Sequence, residues 1–220
     1  MNAGASYFVQ NFSPAGADCS VAAAEDMRRY GLITRIETTL PGVFLLEPKV
    51  FGDNRGFFME TYSRREFVSA GIPHDFVQDN HSLSGGNVLR GLHYQLRQPQ
   101  AKLVRVIRGE VFDVAVDVRR GSPTFGRWVG EILSAENKRS MFVPEGFAHG
   151  FYVMSTAAEF IYKCSDFYAP AEEFGVIWND PLIDIAWPIP PGTSPLLSEK
   201  DMKLGTLATR PAENLPIFQE

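Results

Sequence analysis

The stretch RGLHYQ, residues 90 to 95, sets His93 between a leucine and a tyrosine, just after an arginine and a glycine. Histidine is the side chain best suited to take a proton near neutral pH, but a lone one is more often a half-buried strand residue with one satisfied hydrogen bond. To become a catalyst it needs company, which the rest of the sequence must supply. Polar residues inside strand-like segments are the candidates, because an inward polar group in a small β domain costs free energy unless it is paired or used. Four places qualify. DNRGFFME carries Arg55 and Glu60 around a turn, where an ordinary surface ion pair is the plain alternative. VQDNHSLSGGNVLRGLHYQLRQPQAKLVRV carries Gln78, Asn80, Arg90, His93 and Lys102. FVPEGFAHGFYV places His149 behind a Pro-x-Gly turn at the start of a strand. EFIYKCSDFYAPAEEFG puts Phe160, Tyr162 and Cys164 on one strand face, with Tyr168 in the next loop. Tyr162 taken alone reads as core packing.

Other chemistries find less support. The four histidines, His74, His81, His93 and His149, lack the His-x-His and carboxylate grouping of a metal cupin. Tyr94 and Gln95 stand where a second ligand belongs, so no metal is expected. There is no G-x-S-x-G elbow and no glycine-rich phosphate loop, so a nucleotide would have to be held by arginines and side-chain amides. A net charge of -5 opposes nonspecific nucleic-acid binding, while leaving room for an anionic small ligand in a pocket where arginines concentrate. Two cysteines, Cys19 and Cys164, make no disulfide framework and have no CxxC partner, which fits a reducing compartment. The N-terminus has no basic stretch followed by an apolar core, and no apolar run approaches the roughly 18 to 20 residues that span a bilayer. A soluble, cytoplasmic protein with no membrane partner is expected.

The elements that must position these residues follow from the punctuation of the chain. At 220 residues and 45% hydrophobic content it can bury a full core. One domain is predicted over residues 35–220, ending in an arm, WPIPPGTSPLLSEKD, that crosses its surface. Residues 1–34 show no sustained period and are expected to form a flexible extension with no part in the chemistry. From Gly42 onward, short apolar runs alternate with Gly, Pro, Asn and Asp clusters, the pattern of a sandwich or barrel. VFDVAVDV is the best strand, with Phe112, Val114, Val116 and Val118 on one face and Asp113, Ala115 and Asp117 on the other. LVRVI before it ends at Arg108-Gly109-Glu110, so the two runs read as a hairpin. Further strands are predicted at PGVFLLEPKVF, GFFMETY, RWVGEIL, SMFVP, GFYVM and EFIYKCS. One short helix is predicted over 64–70, with Ser63 and Glu66 at capping-box spacing and Gly71 to end it. Strands do not alternate with long helices, which disfavours a parallel sheet.

In order, FGDNRGFFMET, VQDNHS, VLRGLHYQ, QAKLVRVIRGEVFDVAVDVRRGSPTFG, FVPEGFAHGF, YKCSDFY, IWNDP and LSEKD resemble the dTDP-4-dehydrorhamnose 3,5-epimerase family, from about Leu40 to Leu204. The resemblance implies an all-β, cupin-type jelly roll with a few short helices, a homodimer, and neither metal nor cofactor. It implies dTDP-4-keto-6-deoxy-glucose as substrate, inverted at the carbons on either side of its C4 ketone on the way to dTDP-rhamnose. Motif by motif, it implies His93 as the base, Asp201 in LSEKD as the partner that holds its ring, Lys102 facing the C4 oxygen, and Tyr162 as the acid on the opposite face. Arg55, Glu60, Gln78, Asn80, Arg90, His149 and Glu173 match positions that contact the nucleotide sugar, and Tyr168 matches one that stacks on thymine. Exchange of N-terminal strands within the dimer, as the family practises it, would lend Arg55 and Glu60 to the neighbouring site. Three alternatives stay open: an epimerase that inverts a single carbon, a sugar-nucleotide binder without turnover, and a metal cupin oxygenase.

Overall fold

The computed structural model describes residues 31–219, so most of the expected N-terminal extension lies outside the described residues. In chain order the strands are β1 (Ile33–Glu37), β2 (Phe44–Pro48), β3 (Phe51–Asp53), β4 (Gly56–Phe58), β5 (Gln78–Gly85), β6 (Leu89–Gln95) and β7 (Lys102–Arg108). They continue as β8 (Glu110–Asp117), β9 (Trp128–Ser134), β10 (Ser140–Val143), β11 (Phe147–Val153), β12 (Ala157–Cys164) and β13 (Glu173–Gly175). Residues 33 and 34 of the expected extension therefore belong to a strand. One sheet runs β1-β2-β10-β7-β12-β5 and the other β13-β6-β11-β8-β9, while β3 and β4 form a separate ribbon. Neighbouring strands are antiparallel throughout, which makes the expected all-β jelly roll.

Alternating apolar residues from both sheets meet in the middle, among them Val104, Val106, Val111, Ala115, Phe151 and Phe160. The outer faces are covered too. Val114 and Val116 pack beneath Ile183, Ile185, Leu207 and Leu215, which flank the proline-rich arm on either side in the chain. Phe44, Leu46, Leu103 and Phe142 pack beneath Phe67 and Ile72, in and just after the helix α1 (Arg64–Ser69). VFDVAVDV is thus buried on both faces, and Asp113 and Asp117 are fully enclosed. Such carboxylates require partners. Asp117 takes hydrogen bonds from Arg119, Ser122 and Thr124, and Asp113 pairs with His149.

Two local expectations need correction. LVRVI and VFDVAVDV are not a hairpin: β7 lies between β10 and β12 in one sheet, and β8 between β11 and β9 in the other. The chain changes sheets at Gly109, whose φ of +74° and whose contact with the Ala157 carbonyl exclude a side chain. A glycine between two apolar runs marks a corner between sheets as readily as a hairpin turn. The capping box at α1 is also not formed. Ser63 has the extended backbone of a cap, but its hydroxyl makes no capping bond, and Glu66 instead accepts from Arg65 at 3.3 Å. Of GFFMETY only Gly56–Phe58 is strand, while β1, β5 and β13 arise where no strand was predicted.

The proline-rich arm is tied to the sandwich by backbone hydrogen bonds. The Leu89 N–H donates to the Leu196 carbonyl at 3.0 Å and the Leu196 N–H to the Asn87 carbonyl at 2.8 Å, which ties the arm to the start of β6. Phe160 anchors the end of the core nearest the polar residues: it is 1% exposed and stacks on Phe151 at 4.3 Å. Phe160→Ala is expected to cost about 3–5 kcal/mol, read as a lower denaturant midpoint with an unchanged slope.

Candidate active site

At that end of the sandwich, His93 from β6, Lys102 from β7 and Tyr162 from β12 line two adjoining cavities of about 320 and 310 Å³. The first also takes in Gln78, Asn80, Cys164, Tyr168 and Glu173. The second takes in Arg90, His149, Lys200 and Asp201. β6 belongs to one sheet and β12 to the other, so His93 and Tyr162 enter the shared space from opposite walls.

His93 Nε2 lies 2.6 Å from Asp201 Oδ1, and the Asp201 side chain is 4% exposed. Burial pushes the Asp201 carboxyl up, but the His93 hydrogen bond and charge, the Ser198 hydroxyl and the Gly91 N–H together hold it below the usual carboxylate range. Its contribution to stability is therefore present above that range and lost as pH falls through the depressed value. With Nε2–H donated to Asp201, Nδ1 keeps the lone pair, and the nearest carboxylate oxygen to it, Glu173 Oε1, is 3.8 Å away. Gly91 makes this placement possible: a Cβ there would stand 2.6 Å from Gly150 Cα, so only glycine lets β6 close on β11 and bring His149 into register with His93.

The remaining groups have distinct electrostatics. Lys102 makes no hydrogen bond or ion pair among the described residues, and burial pulls its ammonium below the ordinary lysine value despite Cys164, Glu173 and Asp113 nearby. Burial likewise raises the Tyr162 phenol, which keeps its proton. His149 Nε2 sits 2.9 and 3.0 Å from the two oxygens of Asp113, a second histidine–carboxylate pair. Glu173 accepts from the Tyr168 hydroxyl and pairs with Lys200. Burial pushes the Glu173 carboxyl up, yet those two contacts and the charge of His93 bring it below its ordinary value. A half-enclosed imidazole on a buried carboxylate, an unpaired ammonium and a protonated phenol on the facing wall suit removal of a proton beside a carbonyl.

Residues 37–209 match the family model described as dTDP-4-dehydrorhamnose 3,5-epimerase. The chain belongs to that family. It is 64% identical over 163 residues to the dTDP-4-dehydrorhamnose 3,5-epimerase of Pseudomonas aeruginosa, covering 74% of this chain and 89% of the relative. Among solved structures, a dTDP-6-deoxy-D-glucose-3,5-epimerase from Legionella pneumophila in complex with dTDP-4-keto-L-rhamnose superposes with a TM-score of 0.82 at 52% identity, over 86% of this chain and all of that one. A 3'-monoepimerase from Streptomyces bikiniensis in complex with dTDP-quinovose matches at 38% identity and a TM-score of 0.76, over 83% and 92% of the two chains.

Of the residues that resemblance to this epimerase family singled out, His93, Lys102, Tyr162, Asp201, Gln78, Asn80, Arg90, His149, Tyr168 and Glu173 line the two cavities. Arg55 and Glu60 do not. Arg55, with its side chain 85% exposed on the β3–β4 turn, pairs with Asp53 at 2.5 Å, because that carboxylate stands two residues away on the same turn. Within the chain the turn thus carries an ordinary surface ion pair, the plain alternative, with Asp53 as the partner of Arg55, while Glu60 lines a separate crevice with Arg105 and Lys138. Asp113, Ser198 and Lys200 were not anticipated as site residues. Asp113 had a signal in the sequence, as a carboxylate inside an otherwise apolar strand, and Lys200 stands next to Asp201 in LSEKD.

Proposed function

We propose that this protein inverts C3 and C5 of dTDP-4-keto-6-deoxy-D-glucose, giving dTDP-4-keto-L-rhamnose for the synthesis of dTDP-L-rhamnose, with its own side chains as base and acid. The observation that carries the reading is the His93–Asp201 pair on one wall, with Tyr162 and Lys102 on the other and all of His93, Tyr162 and Lys102 lining both cavities. The C4 ketone acidifies the C–H bonds at C3 and C5. His93 Nδ1 takes one of these protons and the C–H electron pair becomes the enolate, whose O4 charge meets the Lys102 ammonium. Tyr162 then gives its hydroxyl proton to the same carbon from the opposite side, so the centre inverts. Solvent takes the proton from His93 and returns one to Tyr162, and the cycle repeats at the second carbon.

The rest of the lining supports a nucleotide sugar. Arg90 and Lys200 give the second cavity the cations a diphosphate needs, and Tyr168, 51% exposed at the mouth, offers a face to thymine. We further read the protein as a homodimer in which the β3–β4 ribbon lends Arg55 and Glu60 to the partner's site. Exposed Phe57 and Phe58, at 61% and 69%, support that reading, since they sit beside Arg55 and keep most of their surface open even with the Lys138 ammonium over the Phe57 ring. No helix among the described residues is long and apolar enough to cross a membrane. The sparse cysteines support a cytoplasmic location.

Proton NMR of dTDP-4-keto-6-deoxy-glucose with the enzyme in heavy water tests the function. Loss of both the C3 and C5 signals with appearance of the lyxo-4-ketosugar is expected. Retention of both would sink the proposal. Loss of one alone would move the protein to the single-site branch, a second reading favoured by its similarity to the monoepimerase. In the same assay, Tyr162→Phe should slow net inversion about a hundredfold while slowing exchange of the substrate hydrogens much less. Equal slowing of both would remove Tyr162 from the acid role.

A further inference from the structure

The loop that presents Tyr168 is held by three glutamines. Gln100 Nε2 donates to the Asp166 carbonyl at 2.7 Å. Gln95 Nε2 donates to the Phe167 carbonyl at 3.2 Å, and Gln95 Oε1 accepts from the Ala169 N–H at 2.8 Å. Gln78 Oε1 accepts from the Tyr168 N–H at 2.9 Å. Four consecutive residues are thus each fixed through a backbone group by a side-chain amide, and the amides come from β5, β6 and the β6–β7 connection. Gln95 is 5% exposed and also donates to the Gln98 carbonyl at 2.6 Å, which ties the β6–β7 connection to the same bracket. Gln78 is committed further: its Nε2 donates to Asn80 Oδ1 at 3.0 Å, and Asn80 Nδ2 in turn lies 3.6 Å from the buried Cys164 Sγ.

We propose that Gln78, Gln95 and Gln100 are positioning residues that hold the 166–169 backbone and so keep Tyr168 as a preformed platform for the nucleobase. The inference rests on the reading of Tyr168 as the residue that stacks on thymine. It gives Gln78 a role through Tyr168 in place of direct contact with the sugar nucleotide. Amides suit the task because each supplies a donor and an acceptor without adding charge. A carboxylate at position 95 would face the Phe167 and Gln98 carbonyls with no proton to donate. An exposed aromatic that is already fixed loses little freedom when a base stacks on it, so the bracket contributes to affinity by removing an ordering cost.

The test is calorimetric titration of the full chain with dTDP and, separately, with inorganic pyrophosphate, which has no base to stack. Gln95→Leu, close in volume, should weaken dTDP about tenfold, the size expected when an aromatic–base stack is partly lost, and leave pyrophosphate unchanged. Added to Tyr168→Ala it should cause no further loss, since both changes remove the same platform. Equal weakening of both ligands, or a loss that adds fully to that of Tyr168→Ala, would overturn the proposal. Should Gln95→Leu not fold, Gln100→Ala makes the same comparison with an expected loss of about threefold in dTDP affinity. Failure of the unaltered protein to bind dTDP would overturn the proposed function and this inference together. Firm binding that Gln95→Leu leaves untouched would sink the bracket alone.

Discussion

His93→Ala is expected to slow solvent exchange at both C3 and C5 by 10³- to 10⁴-fold, on the order of what a positioned general base contributes, while leaving dTDP affinity nearly intact. The separation follows from the geometry. His93 lines both cavities, whereas the cations suited to the nucleotide, Arg90 and Lys200, line only the second and Tyr168 only the first. Turnover at the unaltered rate would exclude His93 as the base. A second signature separates this variant from a misfolded one. Without the imidazole, the Asp201 carboxyl keeps its burial and loses the hydrogen bond and charge that most oppose it, so its titration should move upward. In the unaltered protein Asp201 favours the folded state until pH falls through its depressed value. In His93→Ala a buried, weakly partnered carboxylate instead disfavours folding above its raised value. The expected result is a protein folded at neutral pH whose stability no longer gains from the ionised Asp201, read from denaturant midpoints across the acid range.

The apolar half of this fold was legible because packing leaves a period. The runs at 103–107, 111–118 and 159–165 all gave strands, since alternating side chains in a two-sheet sandwich must face a core. β5 escaped for the opposite reason. Its inward residues include Gln78 and Asn80, which line the first cavity, so a strand with polar groups on its inner face carries no apolar alternation to find. Sheet membership was not legible either: Gly109 separates two apolar runs, and nothing local distinguishes pairing between them from a step to the facing sheet. The active site shows the same limit more sharply. Asp201 lies 108 residues beyond His93, and no spacing rule connects a proline-rich arm to a strand at that distance. The likeness to the epimerase family put the two together, and the hydrogen bonds of Leu196 to the chain around β6 show the physical means. Arg55 marks the boundary of what one chain displays, for it answers to Asp53 on its own turn.

Lys102→Met should lower the rate of enolate formation by about 10²- to 10³-fold, the loss typical of one preorganised donor to a developing oxyanion, and at the same time leave the protein as stable or more stable. The opposite signs share one cause. A half-buried ammonium with no hydrogen bond or ion pair among the described residues opposes folding, and is tolerable where its charge is used on substrate. The pH dependence follows. Burial pulls the folded-state value below that of the unfolded chain, so between the two the unfolded state binds more protons and stability rises with pH. Over the same window the folded protein loses the ammonium proposed to meet O4, so the rate should fall as pH climbs through the depressed value. Alkaline conditions should therefore make the unaltered protein more stable and slower, and Lys102→Met should abolish this contribution of Lys102 to both trends. Unfolding midpoints and single-turnover exchange rates, measured on both proteins across the alkaline range, check the pair. A variant that keeps the full rate would show that O4 is stabilised elsewhere, and the geometry would then point to His149, held by Asp113 and lining the second cavity, as the remaining donor.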